Sequence, residues 1–293
     1  MTVIRSSRSF LFDLVRAENS RLNTEMHRLT EQAVTGRKIN RPSDSPTEIG
    51  RVVRIREELS NQETFQQNIG WSQSLIGTAD TVMGEASNLL KRAHELAVGM
   101  ANANYSATDR AAAGIEIESL REELIRLSNT ELGDRFIFAG DAYSDAAFDT
   151  TGTYLGSTGT PEILIGDDVY VQSGWDGSEV FQGNVDVFAV LDDLATALNS
   201  NDDAQVFALI DDVELGVEQM IEGRQSIGWA YAKTEDYLVL AEKMQAELTQ
   251  NLGSLVDADS AEVYMQLQEA QSAYEAAIQV ASSGMNLSLF NSL

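Results

Sequence analysis

Only three prolines occur in the 293 residues, and two of them fall in one short stretch, Thr35-Gly36-Arg37-Lys38-Ile39-Asn40-Arg41-Pro42-Ser43-Asp44-Ser45-Pro46. Proline lacks the backbone N–H and its ring clashes with the preceding turn, so no helix passes through this point unbroken. On both sides the sequence has long helical periodicity. The stretch therefore ends one helix and starts another. Ser45 suits an N-cap, Pro46 the first helical position and Glu48 the third. Arg37, Lys38 and Arg41 form a basic trio inside an acidic chain. Local chemistry alone fits a plain helix–turn–helix joint equally well.

Before the break, Leu11, Val15, Leu22, Met26, Leu29 and Ala33 follow three-and-four spacing and predict an amphipathic helix over about 9–33, interrupted at Glu18. That stripe has no partner nearby in sequence. After the break, a helix is predicted from Pro46 to about Met100. Leu75, Val82, Leu89 and Leu96 repeat by sevens, and Ile69, Ile76, Met83, Leu90 and Ala97 form a second line beside them. Two adjacent lines make a broad apolar face suited to a multi-helix bundle. Gly70, Gly77 and Gly84 weaken this helix and mark where a kink or a break would fall. Ser106 and Asp109 read as the capping box of a third helix, with Ala113, Ile117, Leu120, Leu124 and Leu127 inward and Gly133 as its C-terminal cap.

The middle differs in character. Nine of the 21 glycines lie between Gly133 and Gly183. Phe136-Ile137-Phe138, Ile163-Leu164-Ile165, Val169-Tyr170-Val171 and Val180-Phe181 read as short strands, with Gly166-Asp167-Asp168 as a hairpin loop. Helical spacing resumes near Val187, again near Asp203, and as a heptad-like seam from Ile227 to Leu255. After a break at Asp257-Ala258-Asp259-Ser260, the last helix carries Val263, Leu267, Ala270, Tyr274, Ala277, Ala281 and Met285 on one face, then Leu287, Leu289 and Phe290. The expected fold class is mainly α: a long antiparallel helical bundle or coiled coil from the N- and C-terminal parts, with a small β-rich inserted domain. The expected division is terminal helices 1–45 and 256–293, a bundle of 46–140 and 187–255, and an insert of 141–186.

Charge and composition narrow the function. Residues 1–56 carry a net charge of +5, whereas residues 141–223 carry 18 acidic side chains and no basic one. Such a segment repels phosphate, so nucleic acid is not an expected partner. The chain has no cysteine, which removes disulfides, thiolate catalysis and thiolate metal sites. No apolar run is long enough to span a membrane, and Phe10-Leu11-Phe12, cut short by Asp13, is too brief for a cleaved leader. His94-Glu95-Leu96-Ala97-Val98 begins like a zinc-protease helix but lacks the second histidine, and the chain has two histidines in all. There is no phosphate-cradling glycine loop and no nucleophile elbow. The pairs Asp167/Asp168, Asp192/Asp193, Asp202/Asp203 and Asp211/Asp212 lack calcium-loop spacing and read as solvated surface. Neither a catalytic residue nor a cofactor or metal is expected.

Several segments resemble one family in order along the chain. The 35–46 stretch is similar to the Ser-Gly-x-Arg-Ile-Asn-x-Pro-x-Asp segment near the N-terminus of bacterial flagellins and their junction relatives. Arg92-Ala93-His94-Glu95-Leu96 with Ala101-Asn102-Ala103-Asn104, and Arg224-Gln225-Ser226-Ile227-Gly228 as a turn, resemble further superfamily segments. Asn129 through Gly133 to Phe136-Ile137-Phe138-Ala139-Gly140 resembles the hook–filament junction branch rather than flagellin itself. The resemblance covers roughly 1–140 and 187–293. It implies a structural, non-enzymatic ring joining hook to filament, exported without a cleaved signal peptide through the flagellar type III apparatus. The implied partners are further copies of the chain, flagellin, the hook-side junction protein and an export chaperone.

The residues expected at the assembly interface are Leu11, Val15, Leu22, Met26, Leu29, Arg37, Ile39, Asn40, Pro42, Asp44, Val263, Leu267, Ala270, Tyr274, Ala277, Ala281, Met285, Leu289 and Phe290. An isolated helix is marginal in water, so segments 1–45 and 256–293 are expected to be mobile in the single chain and to order on assembly, with the acidic insert facing outward. Flagellin is the nearest alternative, an adaptor of coiled-coil type a further one, and a surface polysaccharide hydrolase using the insert the alternative of another class.

Overall fold

The computed structural model describes the backbone of residues 2–102 and 104–290, and side-chain surroundings for 13–102, 104–280 and 282. The elements are helices α1 (Thr2–Thr35), α2 (Pro46–Met100) and α3 (Ala107–Ser128), strands β1 (Glu131–Leu132), β2 (Arg135–Phe136), β3 (Glu162–Gly166) and β4 (Val169–Gln172), and helices α4 (Gly177–Gln182), α5 (Val187–Asn199), α6 (Asp203–Val256) and α7 (Ser260–Phe290). The fold is mainly α, with long helices packed on one another and two small antiparallel sheets. The chain divides into two compact units, Met1–Ser60 with Gln245–Leu293, and Asn61–Met244.

The 61–244 unit has one continuous core. Ile76, Met83 and Leu90 of α2, Ile117 and Leu124 of α3, Leu191 and Leu194 of α5, and Val206, Val213 and Met220 of α6 are all buried in it. The helices are pinned at their ends by polar groups. Ser106 and Asp109 form the expected capping box of α3. Arg110, 4% exposed, donates to the carbonyls of Met100 and Asn102 and to Oδ1 of Asn201. It thereby places a cation at the C-terminal end of α2, where unpaired carbonyls concentrate negative charge.

The β-rich segment contributes to this same core. Phe138, Phe148, Phe181 and Phe188 are buried together. Phe138 meets Phe181 edge-on at 5.2 Å between ring centroids, and Phe148 lies 5.0 Å from Phe188 of α5. Asn129 joins the segment to the end of α3 by acting as a surrogate backbone. Its Nδ2 donates to the Phe148 carbonyl and its Oδ1 accepts from the Phe148 N–H, both at 2.9 Å. Gly140 follows the buried pair Phe138-Ala139 with φ +60°, and its N–H donates to the Trp175 carbonyl. A Cβ there would lie 2.0 Å from the Ser157 carbonyl oxygen. The order Phe-Ala-Gly therefore has a packing reason: two buried side chains, then the one residue that fits a left-handed, crowded turn.

The structure differs from the sequence expectations at several points. Gly70, Gly77 and Gly84 do not break α2, which is continuous. Each glycine costs about 1 kcal/mol, and the buried face around Leu75, Ala79, Val82 and Ala86 offsets that. Gly133 is not the cap of α3, which ends at Ser128 with Asn129 as cap. Gly133 instead takes φ +68° in the two-residue turn between β1 and β2. Phe136 alone of Phe136-Ile137-Phe138 is in a strand, and Val180-Phe181 lies in α4, which Asp176 caps. Arg224–Gly228 is interior to α6, and a single helix runs from Asp203 to Val256. The hairpin at Gly166-Asp167-Asp168 does form, pairing Ile163 with Val171 and Leu164 with Tyr170, and Asp168 occupies the left-handed position of its turn.

Candidate assembly interface

The unit built from the two chain ends is held by the 36–46 turn and by packing of α1 on α7. Gly36, at φ +67°, receives the chain from α1 and donates its N–H to the Gln32 carbonyl. The backbone then runs antiparallel to the α6–α7 joint. Lys38 N–H donates to the Val256 carbonyl at 2.7 Å, Ala258 N–H donates to the Gly36 carbonyl at 2.9 Å, and Arg37 pairs with Asp257 as an isolated bridge. Lys38 Nζ adds a bond to the Ser254 carbonyl, and the buried Gln32 amide donates to the Lys38 carbonyl. The basic turn is thus tied to the far end of the sequence through main-chain bonds.

The rest of the turn is closed by Asp44. Its Oδ2 accepts from the N–H groups of Asn40 at 2.9 Å and Arg41 at 2.7 Å. These two bonds, with Arg41 and Arg28 nearby, hold the Asp44 carboxyl below the usual aspartate value. Asn40 Nδ2 donates to the Arg37 carbonyl, and Arg41 pairs with Glu31 at 3.2 Å. Pro46 begins α2, as the sequence predicts.

Along α1 and α7 the two apolar stripes meet. Leu29, Val263 and Ala270 form a small buried cluster with Met26, Leu267 and Ala258 beside it. The α1 stripe, which has no partner nearby in sequence, is thus covered by that of α7 from the other part of the chain. Of the residues expected at the interface, Leu22, Leu29, Ile39, Val263 and Ala270 are buried. Val15, Met26, Asn40, Leu267, Tyr274 and Ala277 are half-buried, and Arg37, Pro42 and Asp44 are exposed. The side chains of Leu11, Ala281, Met285, Leu289 and Phe290 lie outside the described residues.

Two helices cannot cover each other on every side, and this unit leaves large apolar groups in water. Val34 is 81% exposed, Tyr264 61% and Met265 58%, and Leu14, Val53, Ile278 and Val280 are also exposed. Sequence reading along one stripe misses these residues. The available signal was Val263-Tyr264-Met265, three consecutive large residues that put apolar surface on more than one side of the helix.

Other sequence motifs acquire structural partners. Arg224 pairs with Asp80 in fork geometry, Nε–Oδ1 at 2.9 Å and Nη2–Oδ2 at 3.0 Å, joining α6 to α2. Arg92 reaches Glu116 of α3 at 2.7 Å. The pairs Asp192/Asp193, Asp202/Asp203 and Asp167/Asp168 are exposed, as is Asp211, while Asp212 is half-buried. Among the described residues, no three histidine, aspartate or glutamate side chains converge as metal ligands, and no helix is long and apolar enough to cross a membrane.

Comparison with known proteins adds four findings. Residues 14–142 match the bacterial flagellin N-terminal helical region. Flagellar hook-associated protein 3 of Escherichia coli K12 is 23% identical, with 89% of this chain and 90% of that protein covered. The B-type flagellin of Pseudomonas aeruginosa is 31% identical, but over only 52% of this chain and 29% of the flagellin. Among solved structures, FlgL of Bacillus cereus superposes with a TM-score of 0.61 at 20% identity, covering 68% of this chain and 99% of that one.

Proposed function

We propose, for a chain that resembles flagellar hook-associated protein 3 from end to end and carries the flagellin N-terminal helical region, the role of a non-enzymatic ring subunit joining the flagellar hook to the filament. The observation that carries this reading is the extent of the match. It covers 89% of this chain and 90% of the hook-associated relative, whereas the flagellin match covers 52% of this chain and 29% of the flagellin. A flagellar structural role follows from the family likeness.

The mechanism is helical packing. In one copy, the α1–α7 pair buries a narrow seam and leaves Val34, Tyr264 and Met265 wet. Each such side chain gains about 1.5–3 kcal/mol when covered. Adding neighbouring copies around a ring, with flagellin on one side and the hook-side junction protein on the other, removes that surface from water and orders the pair further. In this reading segments 1–45 and 256–293 line the tubular core, 46–140 and 187–255 form the surrounding bundle, and 141–186 faces outward. Burying the carboxylates of the acidic insert against those of another copy would be costly. Before assembly, an export chaperone covers the terminal helices during passage through the type III apparatus.

The test is deletion and localisation. Cells lacking this chain should retain hooks but lack attached filaments and shed flagellin into the medium, and immuno-electron microscopy should place the protein in a band at the hook–filament boundary. Labelling along the whole filament would favour flagellin, and normal motility in the deletion strain would overturn the reading.

A further inference from the structure

The 61–244 unit contains a cleft of about 390 Å³, lined by residues of α2, β4, α4 and α6 and within the size range of small-ligand sites. Its walls are fixed by groups that are already fully used. Gln219 of α6, 6% exposed, accepts from the N–H groups of Asn184 and Val185 and donates to the carbonyls of Val180 and Val185. It thereby fastens the chain after α4 to α6. Met83 and Ile227, both buried, supply apolar wall. A Cβ on Gly223 would come within 2.3 Å of the Met83 methyl, so the glycine makes room for that wall.

The polar groups on the same walls are unused. Trp175 is held by its backbone: its N–H donates to the Ile137 carbonyl, and its carbonyl accepts from Gly140. The residue is 5% exposed, yet its indole N–H meets no acceptor among the described residues. Nor is it one of the sealed polar atoms that lack a partner, which belong to Asn19, Ser72 and Ser87. It therefore opens onto the cleft that Trp175 lines. Glu179 and Glu222 are exposed lining residues, and among the described residues neither carboxylate takes part in an ion pair. No basic side chain lines the cleft among the described residues.

This set selects a ligand that both accepts and donates hydrogen bonds. The indole N–H only donates, and the two carboxylates only accept. An anion would be repelled by Glu179 and Glu222. An ammonium or guanidinium ion could not accept from the indole. Neutral hydroxyl groups do both, and the Asn184 amide and Ser226 hydroxyl extend the same pairing. A sugar ring also carries C–H faces that suit Met83 and Ile227. We propose that this cleft binds a neutral saccharide, whose hydroxyls donate to Glu179 and Glu222 while one of its oxygens accepts from Trp175. None of these residues belongs to the expected assembly interface, so the site stands or falls independently of the junction role.

The test is saturation-transfer NMR on the full-length protein, titrated separately with glucose, galactose, mannose and N-acetylglucosamine. At least one of these sugars should bind, and the uronate counterpart of a sugar that binds should bind more weakly. W175F keeps an aromatic ring but removes the N–H donor, and should weaken binding by roughly threefold or more. E179A and E222A, both at exposed positions, should each weaken it by roughly tenfold or more. Circular dichroism should show unchanged helix content in all three variants. Binding of none of the four sugars, or binding unchanged in both E222A and W175F, would overturn the proposal. So would binding of spermidine in place of any sugar, which would make the cleft a cation site.

Discussion

Single residues in this protein matter chiefly where they let the backbone turn. Gly140 sits between the buried Phe138-Ala139 pair and the loop at Ser157, in a left-handed conformation with a carbonyl oxygen where a side chain would go. G140A should therefore destabilise the 61–244 unit by about 2 kcal/mol or more, lowering its thermal midpoint by roughly 5 °C. A melt within a degree of the native protein would contradict that account of the Phe-Ala-Gly order. Asp44 is the corresponding residue in the terminal unit. Its carboxylate accepts two backbone N–H bonds, so its pKa is lower folded than unfolded. The support it gives the 40–44 turn is present above the ordinary aspartate pKa of 3.8 and is lost as pH falls through the depressed folded value. Protection of the Asn40 and Arg41 amides, taken relative to the intrinsic exchange rate at each pH, should fall across that acid window in the native protein. In D44A it should be low at neutral pH already.

At the scale of elements, the two units differ in how much core they own. The 61–244 unit shares one large buried cluster among four helices and the β segment. Among the described residues, the terminal unit's cluster on α1 and α7 has three buried members, Leu29, Val263 and Ala270. L29A removes the largest of them and should cost about 2–4 kcal/mol. The loss should be confined to one unit: amides in 13–35 and 260–280 should exchange faster while those in 61–244 keep their protection. Uniform loss across both units would mean that they unfold together.

The helices were legible in the sequence because three-and-four spacing is set by one face of one element. The capping box at Ser106, the break at Pro42–Pro46 and the hairpin at Gly166–Asp168 were legible for the same reason: each is fixed by residues within a few positions. What escaped was decided by tertiary contact. Val180-Phe181 has strand-like composition, but Asp176 caps a helix there and Phe181 packs against Phe138 and Phe148. Gly133 looks like a helix cap until the β1–β2 pairing claims it. The stripes of α1 and α7 were visible, and so was an antiparallel pairing of the two terminal parts, but not which residues meet, since more than two hundred residues separate them. The exposed residues Val34, Tyr264 and Phe207 lie off the main stripes and show their accessibility only in three dimensions.

For the whole molecule, the proposed role requires that the pair of terminal helices become fully covered only among neighbours, while the 61–244 unit holds its own core. The most direct measurement is hydrogen exchange by mass spectrometry on the purified single chain and on the same protein within isolated flagella. Peptides from 13–35 and 260–280 should exchange at least a hundredfold more slowly in the assembled state, while those from the core of 61–244 should change little; a hundredfold corresponds to about 2.7 kcal/mol of added protection, which covering one or two large apolar side chains supplies. Equal, strong protection of the terminal helices in both states would contradict the account, because it would mean that a single copy already covers its own ends.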